Sequence, residues 1–222
     1  LMDIRKIDKG QMQLTFCETN VVEFIADLHN AFVNFAEKKH ITFTFHHDRL
    51  ERLSLWVDPA NFDKIILNIL SNAFKFTPEG GTIDITLRIG EYPEAEIPLN
   101  QCAEIIITDS GIGINPSELD RIFDRFYQLH RTQNNIYQGT GIGLHLTRLL
   151  VQLHHGIIHA ENAPSGTSGS RFIIRLPLGN AHLRPEEMQM HTSQSSITLS
   201  KLSVSTVDSL QPEKNTSSFS SR

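Results

Sequence analysis

Asn68, Asn72 and Lys75 follow one another at intervals of four and three residues in a stretch that reads as a helix. At about 100° per residue, Asn72 lies about 40° from Asn68 and Lys75 about 20° from it on the other side. Ile66, Ile69, Leu70 and Ala73 fill the opposite arc, with Ile65 at its margin. Two carboxamide oxygens and an ammonium on one narrow stripe suit a hard cation and a phosphate, because Mg²⁺ takes oxygen ligands and keeps several waters. The same stripe also suits a solvated helix face. A second patch, Ile107-Thr-Asp109-Ser-Gly111-Ile-Gly113-Ile114, closes an apolar run. Glycines two apart let the backbone approach a flat or anionic ligand, and the Asp109 carboxylate before them can accept from an exocyclic amine. Alone, Asp-Ser-Gly is equally an ordinary turn, and no third glycine follows at the spacing of a dinucleotide fingerprint. The third patch, Gln138-Gly139-Thr140-Gly141-Ile-Gly143-Leu144, runs straight into an apolar helix. Such a loop presents unpaired N–H groups and the positive end of the helix dipole, which suits a polyphosphate. Gln128 to Tyr137, polar and without period, precede it as a lid or a plain hinge.

The elements that must position these patches alternate irregularly. Val21 to Glu37 carries Ile25, Leu28, Phe32 and Phe35 at helical spacing, and Ile41 to Phe45 then switches to period two. Leu55 to Val57 is a short strand, after which Asp58 as N-cap and Pro59 in the first turn start a helix running to about Lys75. Thr82 to Ile89 alternates, Glu104 to Thr108 reads as a buried strand, and a Pro-containing loop joins them. Ser117 to Phe126 is expected to form a short helix and Leu144 to His154 a longer one ended by Gly156. Ile157–Glu161 and Arg171–Leu176 are two closing strands. Irregular interleaving with adjacent strand pairs points to a two-layer α/β sandwich, helices on one face of a mixed sheet.

Composition limits what such a fold can do. The 222 residues are 39% hydrophobic, which is enough for a packed core and excludes wholesale disorder. With 20 basic and 25 acidic residues the net charge is −5, which argues against an electrostatic grip on nucleic acid or an anionic membrane. No run approaches the ~18 apolar residues of a membrane span, and the N-terminus lacks a signal-peptide pattern. Cys17 and Cys102 are in no metal-ligand spacing, so a reducing, cytoplasmic setting is expected. From Ala181 the chain becomes rich in Ser and Thr, with Phe219 its sole aromatic. Residues 181–222 are therefore expected to be a linker or disordered tail, in which Leu199, Leu202 and Val204 add at most a weak element.

In this order the three patches resemble the catalytic ATP-binding domain of sensor histidine kinases, in the superfamily of gyrase B, mismatch-repair ATPases and heat-shock chaperones. Asn68 to Pro78 is similar to the N box, Asp109 to Gly113 to the G1 box, Ile122 to Tyr127 to the F box and Gly139 to Leu144 to the G2 box. Phe172 matches the aromatic of the last sheet motif, and Leu1 to Met12 resembles the close of a preceding dimerisation helix. The resemblance implies a Bergerat-type fold, with a mixed, mostly antiparallel sheet over residues 16–180 and the end of the dimerisation helix and linker over 1–15. It implies ATP and Mg²⁺ as cofactors, with Asn72 and Asn68 coordinating the metal and Lys75 touching phosphate. Asp109 would accept from the adenine amino group. Phe76, Gly111, Gly113, Ile114, Leu144, Tyr127 and Phe172 would help form the nucleotide site, and Gly139, Thr140, Gly141 and Gly143 would line the phosphates.

The implied activity is transfer of the γ-phosphate to a histidine on a dimerisation domain that this chain does not include, since none of its 11 histidines sits in the phosphoacceptor setting. Implied partners are that domain and a response-regulator receiver, fused downstream in hybrid kinases, within a membrane-anchored homodimer whose catalytic part is cytoplasmic. Nucleic acid is not among them. Where the family often has a basic residue after the F box, this chain has Gln128, so that phosphate contact is either missing or supplied by Arg131. Two alternatives are a hydrolysing ATPase of the gyrase type and a nucleotide-binding regulatory module. The first needs a Glu four residues before the metal-binding Asn, where Asn68 stands; the second needs degenerate motifs.

Overall fold

The computed structural model describes residues 2–91, 101–128, 141–164 and 168–189. The elements in chain order are α1 (Met2–Asp8), β1 (Cys17–Asn20), α2 (Val21–Lys38), β2 (Thr42–His46), β3 (Ser54–Val57), α3 (Pro59–Phe76), β4 (Thr82–Glu91), β5 (Gln101–Asp109), α4 (Gly143–Leu153), β6 (Ile157–Asn162) and β7 (Ser170–Pro177). Five strands form one sheet in the order β2-β4-β5-β7-β6, parallel between β2 and β4 and antiparallel elsewhere. β1 and β3 make a separate antiparallel pair. This is the expected α/β sandwich.

Period-two alternation sorts the sheet into two faces. Ile83, Ile85 and Leu87 of β4, Ile105 and Ile107 of β5 and Phe172, Ile174 and Leu176 of β7 are buried in one core with the apolar faces of α2, α3 and α4. α3 begins as its sequence dictates, with the Asp58 carboxylate accepting from Asn61 N at 3.0 Å. The buried His154 ties the end of α4 to that start. Its Nδ1 donates to Leu150 O at 2.7 Å and its Nε2 accepts from Asp58 N at 3.1 Å. Burial pulls this imidazole down from its usual value, so the neutral tautomer that makes both bonds is the favoured one.

On the other face Arg88, Glu104 and Arg175 lie in register across β4, β5 and β7. Both guanidiniums pair with the buried Glu104 carboxylate, Arg175 Nε at 2.7 Å. Burial pushes that carboxyl up, but the two arginines outweigh it and hold it below its ordinary value. Glu104→Gln would leave two cations facing each other and is expected to cost about 1–2 kcal/mol, since both arginines keep access to water. Urea denaturation measures this, and an unchanged midpoint would reject it.

Asp63, on α3, is 3% exposed, and its Oδ1 has no partner among the described residues. Burial raises its carboxyl from 3.8 to about 6. A folded-state value above the unfolded one favours folding fully below about pH 4, and that contribution is lost as pH rises through about 6. Asp63→Asn should therefore stabilise the chain by about 1–2 kcal/mol near pH 8 and by little near pH 4. Equal gains at both would show that ionisation is not the cause.

Two expectations need correction. Ser117 to Phe126 is not one helix but two 3₁₀ turns, Pro116–Glu118 and Arg121–Phe123. Asn115 caps the first through Ser117 N, and an extended Asp124 followed by Phe126 at φ +64° prevents continuation. Nor does the folded unit stop at residue 180. Leu183 is buried with Leu14 and Phe16, Phe16 N donates to Glu187 O at 2.8 Å, and Gln189 N donates to Phe16 O at 2.8 Å. Apolar Leu183 and Met188 outweigh the polar composition around them. Leu199, Leu202 and Val204 lie outside the described residues.

Candidate functional site

The polar stripe of α3, the turn after β5 and the start of α4 come together at one end of the sheet. Asn68, Asn72, Lys75 and Phe76 are all half-buried on α3. Lys75 Nζ lies 5.2 Å from the centroid of the Phe76 ring, and burial pulls its ammonium down from the usual lysine value. The β5 turn packs on the last turn of this helix so closely that a Cβ on Gly111 would stand 2.6 Å from Phe76 O. α4 is joined to the same stripe by Asn68 Nδ2, which donates to Thr147 Oγ1 at 2.7 Å.

Asp109, 4% exposed, ends β5 with its carboxylate held by three donors. Oδ1 accepts from Gly111 N at 2.8 Å and Ser170 N at 3.4 Å, and Oδ2 accepts from Ser170 Oγ. Burial pushes the carboxyl up, and these hydrogen bonds, Ser170 foremost, work against the rise. Beyond Gly113, Asn162 at the end of β6 grips Ile114 by both backbone groups. Oδ1 accepts from Ile114 N at 2.8 Å and Nδ2 donates to Ile114 O at 2.7 Å. Ser168 Oγ donates to Gly111 O at 2.7 Å. The turn that carries the acceptor is thus fixed by Asn162, Ser168 and Ser170 through five hydrogen bonds.

The remaining expected residues fall around this frame. Gly141 O accepts from Phe126 N at 2.9 Å, which joins the F-box segment to the glycine-rich loop. Tyr127 OH donates to Glu118 Oε1 at 2.7 Å, and Arg121 stacks over its ring. Leu144 is half-buried against the core, whereas Phe172 is buried within it, edge-on to Phe123 at 6.3 Å between centroids. Gly139, Thr140 and Arg131 lie outside the described residues. Sequence reasoning missed Ser170, Asn162, Ser168 and Thr147. Each holds a partner at least 48 positions away, so no local pattern signals it.

Among the described residues no three His, Cys, Asp or Glu side chains gather as a metal cluster. Asn72 does fit Mg²⁺, as a neutral hard-oxygen donor whose ion would complete its shell with phosphate oxygens and water. The arrangement therefore brings together a buried carboxylate ringed by hydrogen-bond donors, carboxamides and an ammonium on α3, and the start of α4.

Residues 57–180, from the last residue of β3 to just beyond β7, match the histidine kinase-, DNA gyrase B- and HSP90-like ATPase family. The chain belongs to that family. Within it, this ATPase domain is 37% identical over 180 residues to the sensor histidine kinase TmoS of Ectopseudomonas mendocina, covering 80% of this chain and 17% of that protein. It is 32% identical over 194 residues to Histidine kinase P4 of Formosa agariphila, covering 85% of this chain and 13% of the relative. The ATPase domain thus spans less than a fifth of either relative. Its fold is similar to the catalytic domain of the histidine kinase ThkA, with a TM-score of 0.61 and 28% identity over 74% of this chain and 97% of the other. No helix among the described residues of the ATPase domain is long and apolar enough to cross a membrane.

Proposed function

We propose that this chain is the catalytic domain of a two-component sensor histidine kinase, which binds MgATP and presents its γ-phosphate to a histidine of a dimerisation domain. The observation that carries the reading is the Asp109 carboxylate, buried, held by Ser170 and Gly111 N, on a turn packed against the last turn of α3, whose Asn68 in turn meets α4. Asp109 accepts from the adenine amino group. Phe76, Gly113, Ile114 and Leu144 surround the base and sugar, and Lys75 meets the phosphates together with the amides of Gly141 and Gly143. Asn72 holds Mg²⁺, which neutralises phosphate charge when bound. In transfer, the acceptor histidine nitrogen forms a bond to the γ-phosphorus as the bond to the β-phosphate oxygen breaks, releasing ADP. The domain contributes position and charge and forms no covalent intermediate of its own.

Asn68 favours transfer over hydrolysis, because a carboxamide cannot deprotonate water in the place where a hydrolysing relative has Glu. The implied partners are the dimerisation domain, a receiver domain and a second copy of the kinase, with this domain on the cytoplasmic side. The test incubates the chain with labelled ATP, Mg²⁺ and a histidine-bearing dimerisation domain supplied in trans. Acid-labile label on that domain is expected. Release of inorganic phosphate without transfer would favour the ATPase reading instead.

A further inference from the structure

The carboxamide of Asn68 is occupied at both ends by α4. Its Nδ2 donates to the hydroxyl of Thr147 at 2.7 Å, and Thr147 is 1% exposed, so water cannot take over the bond when it is lost. Its Oδ1 lies against the first residue of α4: a Cβ on Gly143 would stand 2.3 Å from that oxygen. Gly143 is not among the glycines with positive φ. Alanine is also the better helix former at such a position, so the backbone does not demand glycine. What demands it is the Asn68 side chain filling the space. One amide thus touches α4 in its first turn, where the helix carries its free N–H groups, and again one turn further on.

We propose that Asn68 is a positioning residue. It clamps α3 to α4 and so sets where the phosphate-facing start of α4 stands relative to Asn72 and Lys75, and it is not a ligand of the metal. The inference rests on the nucleotide-binding reading above and replaces the metal role that the family resemblance implies for this residue. A ligand would need its oxygen turned to an ion, but this oxygen abuts the Gly143 backbone and its amide nitrogen is already committed. The clamp and the ligand make opposite demands. Loosening a clamp weakens nucleotide binding equally with and without Mg²⁺, whereas removing a ligand weakens it only when Mg²⁺ is present.

The experiment titrates the full chain with a non-hydrolysable ATP analogue, with Mg²⁺ and with chelator, and follows the ratio of the two affinities. Asn68→Ala and Thr147→Val are each expected to weaken binding about three- to tenfold in both conditions, leaving the ratio unchanged. Thr147→Ser, which keeps the hydroxyl, should bind like the wild type. The double variant should be no weaker than Asn68→Ala alone, because both changes remove one contact. Gly143→Ala should be strongly impaired in the wild type and add nothing once Asn68 is Ala. Should Asn68→Ala fail to fold, Thr147→Val read against Thr147→Ser carries the test. Collapse of the ratio in Asn68→Ala, with Thr147→Val indifferent, would overturn the clamp in favour of a ligand. Binding that responds to Asp109→Asn but not to Asn68→Ala or Thr147→Val would sink the clamp alone. A wild type that binds no nucleotide would bring down the site reading itself, and the clamp with it.

Discussion

Asp109→Asn is expected to weaken binding of an ATP analogue by about 1–3 kcal/mol, roughly five- to 150-fold, while leaving the fold intact. The carboxylate is surrounded by donors alone: Gly111 N, Ser170 N and Ser170 Oγ. An asparagine that turns its NH₂ toward the base removes the adenine acceptor, and one that turns it inward sets NH₂ against Gly111 N or Ser170 N and displaces the turn that carries the acceptor. The pH dependence follows from the same burial. Burial raises the Asp109 carboxyl, against the opposing donors, so the protonated form persists further up the pH scale than for an exposed Asp. Only the ionised group accepts at both oxygens, so affinity should fall on acidification through that raised value, and the asparagine variant should flatten the profile. For the nucleotide-free chain the sign is opposite. A raised carboxyl favours folding at low pH and loses that contribution as it ionises. Fluorescence titrations and thermal melts between about pH 4 and 8 read both effects. Parallel profiles for wild type and variant would refute the assignment.

The largest structural effect is expected from Gly169→Ala. Gly169 sits at φ +135°, a region that side chains rarely enter, and a Cβ there would stand 1.8 Å from Asp109 O. The neighbour is backbone at the end of β5, so relief requires moving the strand end that carries Asp109. Strain and overpacking together should cost about 3 kcal/mol or more. Any molecules that still fold should bind nucleotide poorly. Gly80→Ala supplies the comparison, since φ is +79° but nothing lies within 4 Å of the added Cβ. It should cost about 1 kcal/mol and spare binding. Equal losses in the two variants would mean that strain, not the close approach to β5, governs position 169.

The elements were legible where their signals are local. Asp58 and Pro59 fixed the start of α3, and alternation fixed β4 and β7 to within a residue or two. Sheet order was not legible, because the insertion of β7 between β5 and β6 and the parallel pairing of β2 with β4 depend on contacts far apart in sequence. The site divides in the same way. Asn72, Asp109 and Gly143 announce themselves by spacing and by glycine context. Ser170, Asn162 and Thr147, which hold Asp109, Ile114 and Asn68, look like any polar residue in a strand or helix. Two misreadings have a common origin. Ser117 to Phe126 has helical periodicity, yet local caps and a left-handed Phe126 break it, and the polar surroundings of Leu183 conceal a residue that packs on Phe16.

The pairing of Phe16 with Met188 has a mechanical consequence. The two segments run parallel, with Glu187 O and Gln189 N bonded to Phe16 from the same side. Tension that draws the chain before Phe16 and the chain after Gln189 apart therefore acts along the paired segments in opposite directions. That is shear, in which both hydrogen bonds and the Phe16–Leu183 contact resist together, whereas peeling would meet them one at a time. Force passed along the polypeptide would be borne at this small seam between β1 and the final turn. The proposed nucleotide site at the far end of α3 would be shielded from it.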